Sequence, residues 1–446
     1  MKQLFAILLF SAASINGWSQ QKPLANKLDQ VASAYHRVHG FSGNIYMVQD
    51  NETIFENSYG LADRSFGIVN SPQTRFSINS ISKTFTALAI LQLAEANKLD
   101  LHKPINNYLP KFEAPWASSV TTHHLLTHSS GLPRESGVQA TDRLNFNEQL
   151  QLIAHQELLF NPGERYEYSN SGVIVLGALI EAASGQEYGR YIEEHILRPL
   201  DLKDSGYYYG NRVVQNQAIP YRFTASGLEF AQRSKHYGDN AGGGLYSTPK
   251  DLYNYVTGLM NHEVLSQTYT KLLFQEHIQS GETDWEAYAW SIKYFGDEKI
   301  YFAAGSGYGT KSVIIHMPAS NDFIGITSNW GNTPILPLLR DLYLSLRGLE
   351  VELPAEDALA DPKDYTKHLG TYIFDQQALT DNLGMDVPTM KLQVFEGRLF
   401  LDDELLTDRQ GVLRLSYTNE LSILFEKEQM VVEINGNTMI GTKISQ

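Results

Sequence analysis

With 446 residues the chain exceeds the usual size of one domain, and its 42% hydrophobic content supplies material for a large core. A formal net charge of −15, with no basic run, argues against a protein that works by covering nucleic-acid phosphates, which takes clustered Lys and Arg. There is no cysteine, which excludes disulfides, thiolate metal sites and lipid attached to a Cys.

The chain opens "MKQLFAILLFSAASINGWSQ", one Lys before an apolar run from Leu4 to about Ile15, then polar residues around Asn16 and Gly17. The run falls short of the roughly 20 residues of a membrane span and has no amphipathic face, so it reads as a secretory signal over residues 1–19. A secreted or periplasmic protein without a membrane span is expected.

A short helix is expected around Leu24 to Val38. "GNIYMVQDNETIFENSYG" then reads as two strands about a polar turn at Asp50 to Glu52. An apolar helix follows at "FSINSISKTFTALAILQLAEA" (76–96), and the pattern stays mostly helix and loop to about Asn261. In "GVIVLGALIEAASG" (172–185) Val173, Leu176, Gly177 and Ile180 repeat at helical spacing, and Gly185 suits a C-cap.

Strand signals return at "AYAWSIKY", "KIYFAA", "KSVIIHMP" and "FIGITSN", and "PILPLLRDLYLSL" closes the region as a helix. Strands clustered in sequence favour an antiparallel sheet over the strand-helix alternation of a doubly wound fold. The expected fold class is therefore α+β: an antiparallel sheet flanked by helices, with a helical insertion. The acidic, Pro-containing stretch 351–363 reads as a linker. Residues 364–446 alternate at period two between turn residues, which predicts a small antiparallel β domain.

The apolar helix carries Ser80 and Lys83 at its mouth. Ser is a preferred N-cap, and S-x-x-K recurs at "STPK" (247–250), where Pro249 marks an ordinary helix start. The first copy differs in its setting. From Phe85 to Ala94 the helix is apolar nearly all round, which marks burial. A Lys in the first turn opposes the macrodipole, so burial and the positive helix end are expected to lower its pKa and free a neutral amine. Residues three apart share a helix face. From these residues alone a nucleophile with its base and a cap beside a solvated Lys both remain open.

S-x-x-K has company in "HHLLTHSSGLP", "FNPGERYEYSNSGVIVLGALIEAASG", "AGGGLYSTPKDL" and "AAGSGYGTKSVIIHMP". Together these segments, from about Gly43 to Asn332, resemble the serine β-lactamase and penicillin-binding-protein superfamily, in its class C β-lactamase, esterase and D-peptidase branch. The resemblance implies a β-lactamase/transpeptidase-like hydrolase domain over 21–350. It also implies Ser80 as nucleophile, Lys83 as the neighbouring amine, Tyr168 as proton shuttle and Asn170 as an amide that orients substrate. The "NPGERYEYSNSG" frame singles out Tyr168 to Asn170 from the other Y-x-N matches at 209–211 and 417–419. Phenol has a pKa near 10, so Tyr168 needs a nearby cation to serve as base; whether Lys83 or Tyr168 takes the serine proton stays open.

Members of this family usually carry K-T-G or H-T-G on a strand beside the serine, and here the best register is Ala303, Ala304, Gly305. Backbone N–H groups of Ser80 and of Ser306, after Gly305, can still form an oxyanion hole. A cation for a substrate carboxylate must come from elsewhere, Lys311 or Lys293 being candidates. This departure favours an ester or amide hydrolase over an efficient β-lactamase. Its rival is a catalytically impaired relative that binds cell-wall peptides or β-lactams without turnover.

His124 and His128, four apart, suggest a shared helix face for a metal, but no H-E-x-x-H occurs and structural roles are favoured. No G-x-S-x-G is present, which argues against an α/β-hydrolase. The glycines of 241–252 lack a P-loop ending and are expected to pack tightly near the site. Small lipocalin-like barrels append to members of this family, and residues 364–446 are assigned no catalytic residue. No metal or organic cofactor is expected, the partner being a small-molecule or peptide-like ester or amide; oligomeric state is left open.

Overall fold

The computed structural model describes residues 12–135, 146–210, 212–224, 227–231, 241–383, 385, 387–416, 421–434 and 436–445. The segment 1–11 of the expected signal, and residues 211 and 417–419 of the alternative Y-x-N matches, lie outside them. Among the described residues no helix is long and apolar enough to cross a membrane.

The chain divides into two compact units. One holds residues 42–220 and 232–329 with the N-terminal 25 residues; the other holds 26–41, 221–231 and 330–446.

The first unit is built on an eight-stranded sheet. Its strands are β1 (Gly43–Gln49), β2 (Glu52–Tyr59), β3 (Ile278–Gln279), β4 (Trp285–Glu286), β5 (Ser291–Phe295), β6 (Glu298–Ser306), β7 (Lys311–Met317) and β8 (Asp322–Ser328). The order is β3-β4-β5-β6-β7-β8-β1-β2, each neighbouring pair antiparallel. Asp50 and Asn51 have φ of 51° and 66°, the positive-φ pair that a two-residue turn between twisted strands requires. The sequence between β2 and β3 supplies the helical insertion.

Helix α1 spans Ala12–His39, longer than the sequence pattern suggests. Within the insertion, α2 (Ser82–Glu95) is buried at every position from Ser82 to Leu91, as expected of a helix apolar on all sides. Its Phe85 stacks on Tyr255, with ring centroids 3.9 Å apart. Helix α3 is the short Thr122–Leu126, and α4 is Asn170–Ser184, capped by the Ser169 side chain and ended by Gly185 at φ 73°. Helix α5, Pro249–Met260, is capped by Thr248, so the second S-x-x-K is indeed a helix start. One continuous core joins α2, α4 and α5 to sheet residues such as Tyr46, Ile292, Ile314 and Phe323.

In the second unit, eight strands between Gly370 and Ser445 close into an antiparallel barrel. The turns Glu396-Gly397 and Gln410-Gly411 again have paired positive φ. Tyr372, Leu392, Leu399, Leu406, Leu413 and Met430 fill its core. The period-two pattern of residues 364–446 thus resolves into a small β domain.

Candidate active site

Ser80 sits in a single 3-10 turn, Asn79–Ile81, that leads into α2. It does not cap the helix: the N-cap is Ile81, with no side-chain bond. Its Oγ instead accepts from Lys83 Nζ at 2.9 Å and from Tyr168 OH at 3.0 Å. Tyr168 thus reaches the hydroxyl of a residue 88 positions away in sequence.

Lys83 is 3% exposed, and its amino group is held by more than the serine. Nζ also donates to the Gly242 carbonyl at 2.9 Å. Ala241 O accepts from Thr86 Oγ1 at 2.7 Å, and Leu245 N donates to Ser82 Oγ at 3.1 Å. The glycine cluster is thus clasped along α2, where its backbone serves the lysine. The Lys83 nitrogen lies 5.2 Å from the centre of the Tyr168 ring and the Arg134 guanidinium carbon 5.0 Å from it, both within cation–π range.

The loop carrying Tyr168 is pinned by the segment after α3. Glu167 N donates to His128 O at 2.8 Å, Ser169 Oγ to Pro133 O at 2.9 Å and Asn170 N to Arg134 O at 2.8 Å. Asn170 opens α4, and its Nδ2 donates to Glu135 Oε1 at 2.7 Å, a partner that sequence spacing does not reveal.

On the other side of Ser80 runs the end of β6. Gly305 faces the turn that carries Ser80 so closely that an added Cβ would stand 2.1 Å from Ile78 O and 3.0 Å from Ser80 N. Ser312 Oγ donates to Ile78 O at 2.8 Å, and Asn79 Nδ2 donates to Thr310 Oγ1 at 2.9 Å. These bonds fasten the turn to the strand pair, with Gly305, the residue before the exposed Ser306, against Ser80. Ala303 is buried in the core and offers no polar group. The two candidate cations separate cleanly: Lys293 is paired with Asp284, whereas Lys311 Nζ donates to Ser306 Oγ at 2.7 Å.

The histidine pair does not share a helix face, because α3 ends at Leu126 and His128 turns away at φ 52°. His124 forms a capping box with Thr121. Among the described residues no group of three or more His, Cys, Asp or Glu is arranged to hold a metal.

Residues 28–345 match the family model described as Beta-lactamase. The chain belongs to the beta-lactamase family. Within the superfamily of serine β-lactamases and penicillin-binding proteins, PbpX of Bacillus subtilis (strain 168) is 31% identical over 248 residues, 55% of this chain and 61% of that protein. The chain therefore matches less than two thirds of that relative's length. Two solved structures share the beta-lactamase fold. The octameric penicillin-binding protein homologue from Pyrococcus abyssi has a TM-score of 0.68 and 22% identity, covering 93% of this chain and 99% of that one. The D-amino acid amidase from Ochrobactrum anthropi SV3 has a TM-score of 0.65 and 19% identity, covering 73% of this chain and 99% of that one.

Proposed function

We propose that this beta-lactamase-family protein is an exported serine hydrolase that forms an acyl-enzyme on Ser80 with an ester or peptide-like amide. The observation that carries the reading is the Ser80 hydroxyl held by both Lys83 Nζ and Tyr168 OH at hydrogen-bond distance. As Oγ attacks the substrate carbonyl, the Ser80 proton passes to Lys83 in its neutral amine form or to Tyr168 in its phenolate form. The oxyanion is met by the N–H groups of Ser80 and Ser306, and Tyr168 returns the proton to the leaving alcohol or amine. Water then repeats the sequence on the acyl-enzyme and releases the acid.

Asn170 orients the acyl side of the substrate. Lys311, which donates to Ser306 Oγ, is the cation assigned to a substrate carboxylate in place of the missing K-T-G or H-T-G side chain. The apolar N-terminal run supports export. The residues assigned to the chemistry all fall in the first unit, and the barrel is given no catalytic part.

The alternative, a binder that is acylated without turnover, is favoured by Ala303 and Ala304 standing where a polar triplet is usual. Steady-state turnover of a panel of esters, D-amino-acid amides and β-lactams decides between them. The hydrolase reading expects multiple turnovers that vanish in Ser80→Ala; a single burst on every substrate favours the binder.

A further inference from the structure

His128 lies in the "HHLLTHSSGLP" segment, outside S-x-x-K, Y-x-N and the Ala303–Gly305 triplet, yet it grips the Tyr168 loop twice. Its carbonyl oxygen accepts the Glu167 N–H at 2.8 Å, and its Nδ1 accepts the Ser169 N–H at 3.2 Å. One residue therefore holds the backbone on both sides of Tyr168. Its ring lies against the Tyr168 ring, centroids 4.6 Å apart and planes tilted by 36°.

The grip depends on a bare Nδ1, which places the ring proton on Nε2 and excludes the doubly protonated imidazolium. His128 is only 5% exposed. Burial above all, and then the charges of Lys83 and Arg134, lowers its pKa to about 3, so the acceptor form persists at ordinary pH. Its φ of 52° lies where glycine is the easier residue, so the turn itself has no need of an imidazole.

We propose that His128 is a positioning residue that acts through Tyr168, a neutral imidazole that keeps the phenol within reach of Ser80 without touching substrate. The inference rests on the acyl-enzyme reading. A small displacement of a reacting group can cost about 10²-fold in rate, and the phenol is held over Ser80 by this loop.

The test uses p-nitrophenyl acetate hydrolysis by the full chain. His128→Phe keeps a ring and removes the acceptor, whereas His128→Asn keeps an acceptor close to the Nδ1 position. Both are made with and without Tyr168→Phe, and thermal melts check folding. The expected result is a fall in kcat of roughly 10- to 100-fold in His128→Phe with KM little changed, substantial recovery in His128→Asn, and no further loss when His128→Phe is added to Tyr168→Phe. Should His128→Phe not fold, His128→Gln, whose amide oxygen overreaches the Nδ1 position, takes its place. Additive losses with Tyr168→Phe, or an Asn variant no better than the Phe variant, would overturn the positioning role. Ser80→Ala run alongside separates the two claims: hydrolysis that survives it overturns the acyl-enzyme reading itself.

Discussion

Gly305 passes Ser80 so closely that a Cβ on the glycine would stand 3.0 Å from the serine nitrogen. The same Cβ would lie 2.1 Å from the Ile78 carbonyl oxygen, a backbone atom with no soft side chain to yield. The approach sets Gly305, immediately before Ser306, against Ser80, and the N–H groups of Ser80 and Ser306 are the two proposed oxyanion donors.

Gly305→Ala is therefore expected to push the strand from the Ser80 turn and lower kcat/KM by about 10²-fold or more, the usual cost of one lost oxyanion donor. Turnover measured beside a thermal melt checks this. A variant as active as wild type would mean that the strand does not serve the oxyanion.

Asn79 immediately precedes Ser80, has φ of 48° and is 8% exposed. Left-handed backbone costs most non-glycine residues about 1–2 kcal/mol, Asn being among those that adopt it most readily, and here the bond from Nδ2 to Thr310 Oγ1 helps to hold it. Thr310→Val removes the acceptor while keeping the shape, and should destabilise the protein by about 1–3 kcal/mol, the cost of a stranded buried donor. Urea denaturation reads this as a lower midpoint at unchanged slope. An unchanged midpoint would show that the clasp contributes nothing.

Lys311 and Lys293 are alike in sequence but differ in partner, one at Ser306 and the other on Asp284. Lys311→Met is expected to raise KM for esters bearing a carboxylate by roughly tenfold, equivalent to about 1.4 kcal/mol, with neutral esters little affected. Lys293→Met should spare both classes. Equal effects of the two substitutions on anionic esters would contradict the assignment of Lys311.

Glu286 is 9% exposed, and both its oxygens accept from Ser291 Oγ at 3.0 Å, with Ser280 Oγ a further donor at 2.9 Å. Burial pushes its carboxyl from 4.5 to about 7, only partly opposed by those hydroxyls. Between these values the folded protein holds a proton that the unfolded chain has released. This contribution to stability is therefore fully present below about 4.5 and declines as pH rises to about 7, by at most about 1.4 kcal/mol per pH unit. Glu286→Gln keeps the shape and should flatten that part of the stability–pH curve. An unchanged slope would place the effect elsewhere.

What could be read from the sequence was whatever leaves a side-chain pattern. The all-round apolar run after Lys83 announces a buried helix, and the alternation beyond residue 364 announces strands that close into a barrel. The partners of the site left no such trace. Gly242 receives Lys83 through a carbonyl that every residue possesses. Spacing suggests one helix face for His124 and His128, but α3 stops at Leu126 and the backbone reverses at His128. Glu135 meets Asn170 from 35 residues away, and Lys311 differs from Lys293 only through the register that pairs it with Ser306.

The central claim is that Ser80 becomes acylated, and intact-protein mass after exposure to a fluorophosphonate tests it most directly. The account predicts one covalent adduct on the wild-type chain, mapped to the peptide containing Ser80, and none on Ser80→Ala. Equal labelling of the two proteins, or an adduct mapped to another residue, would contradict it.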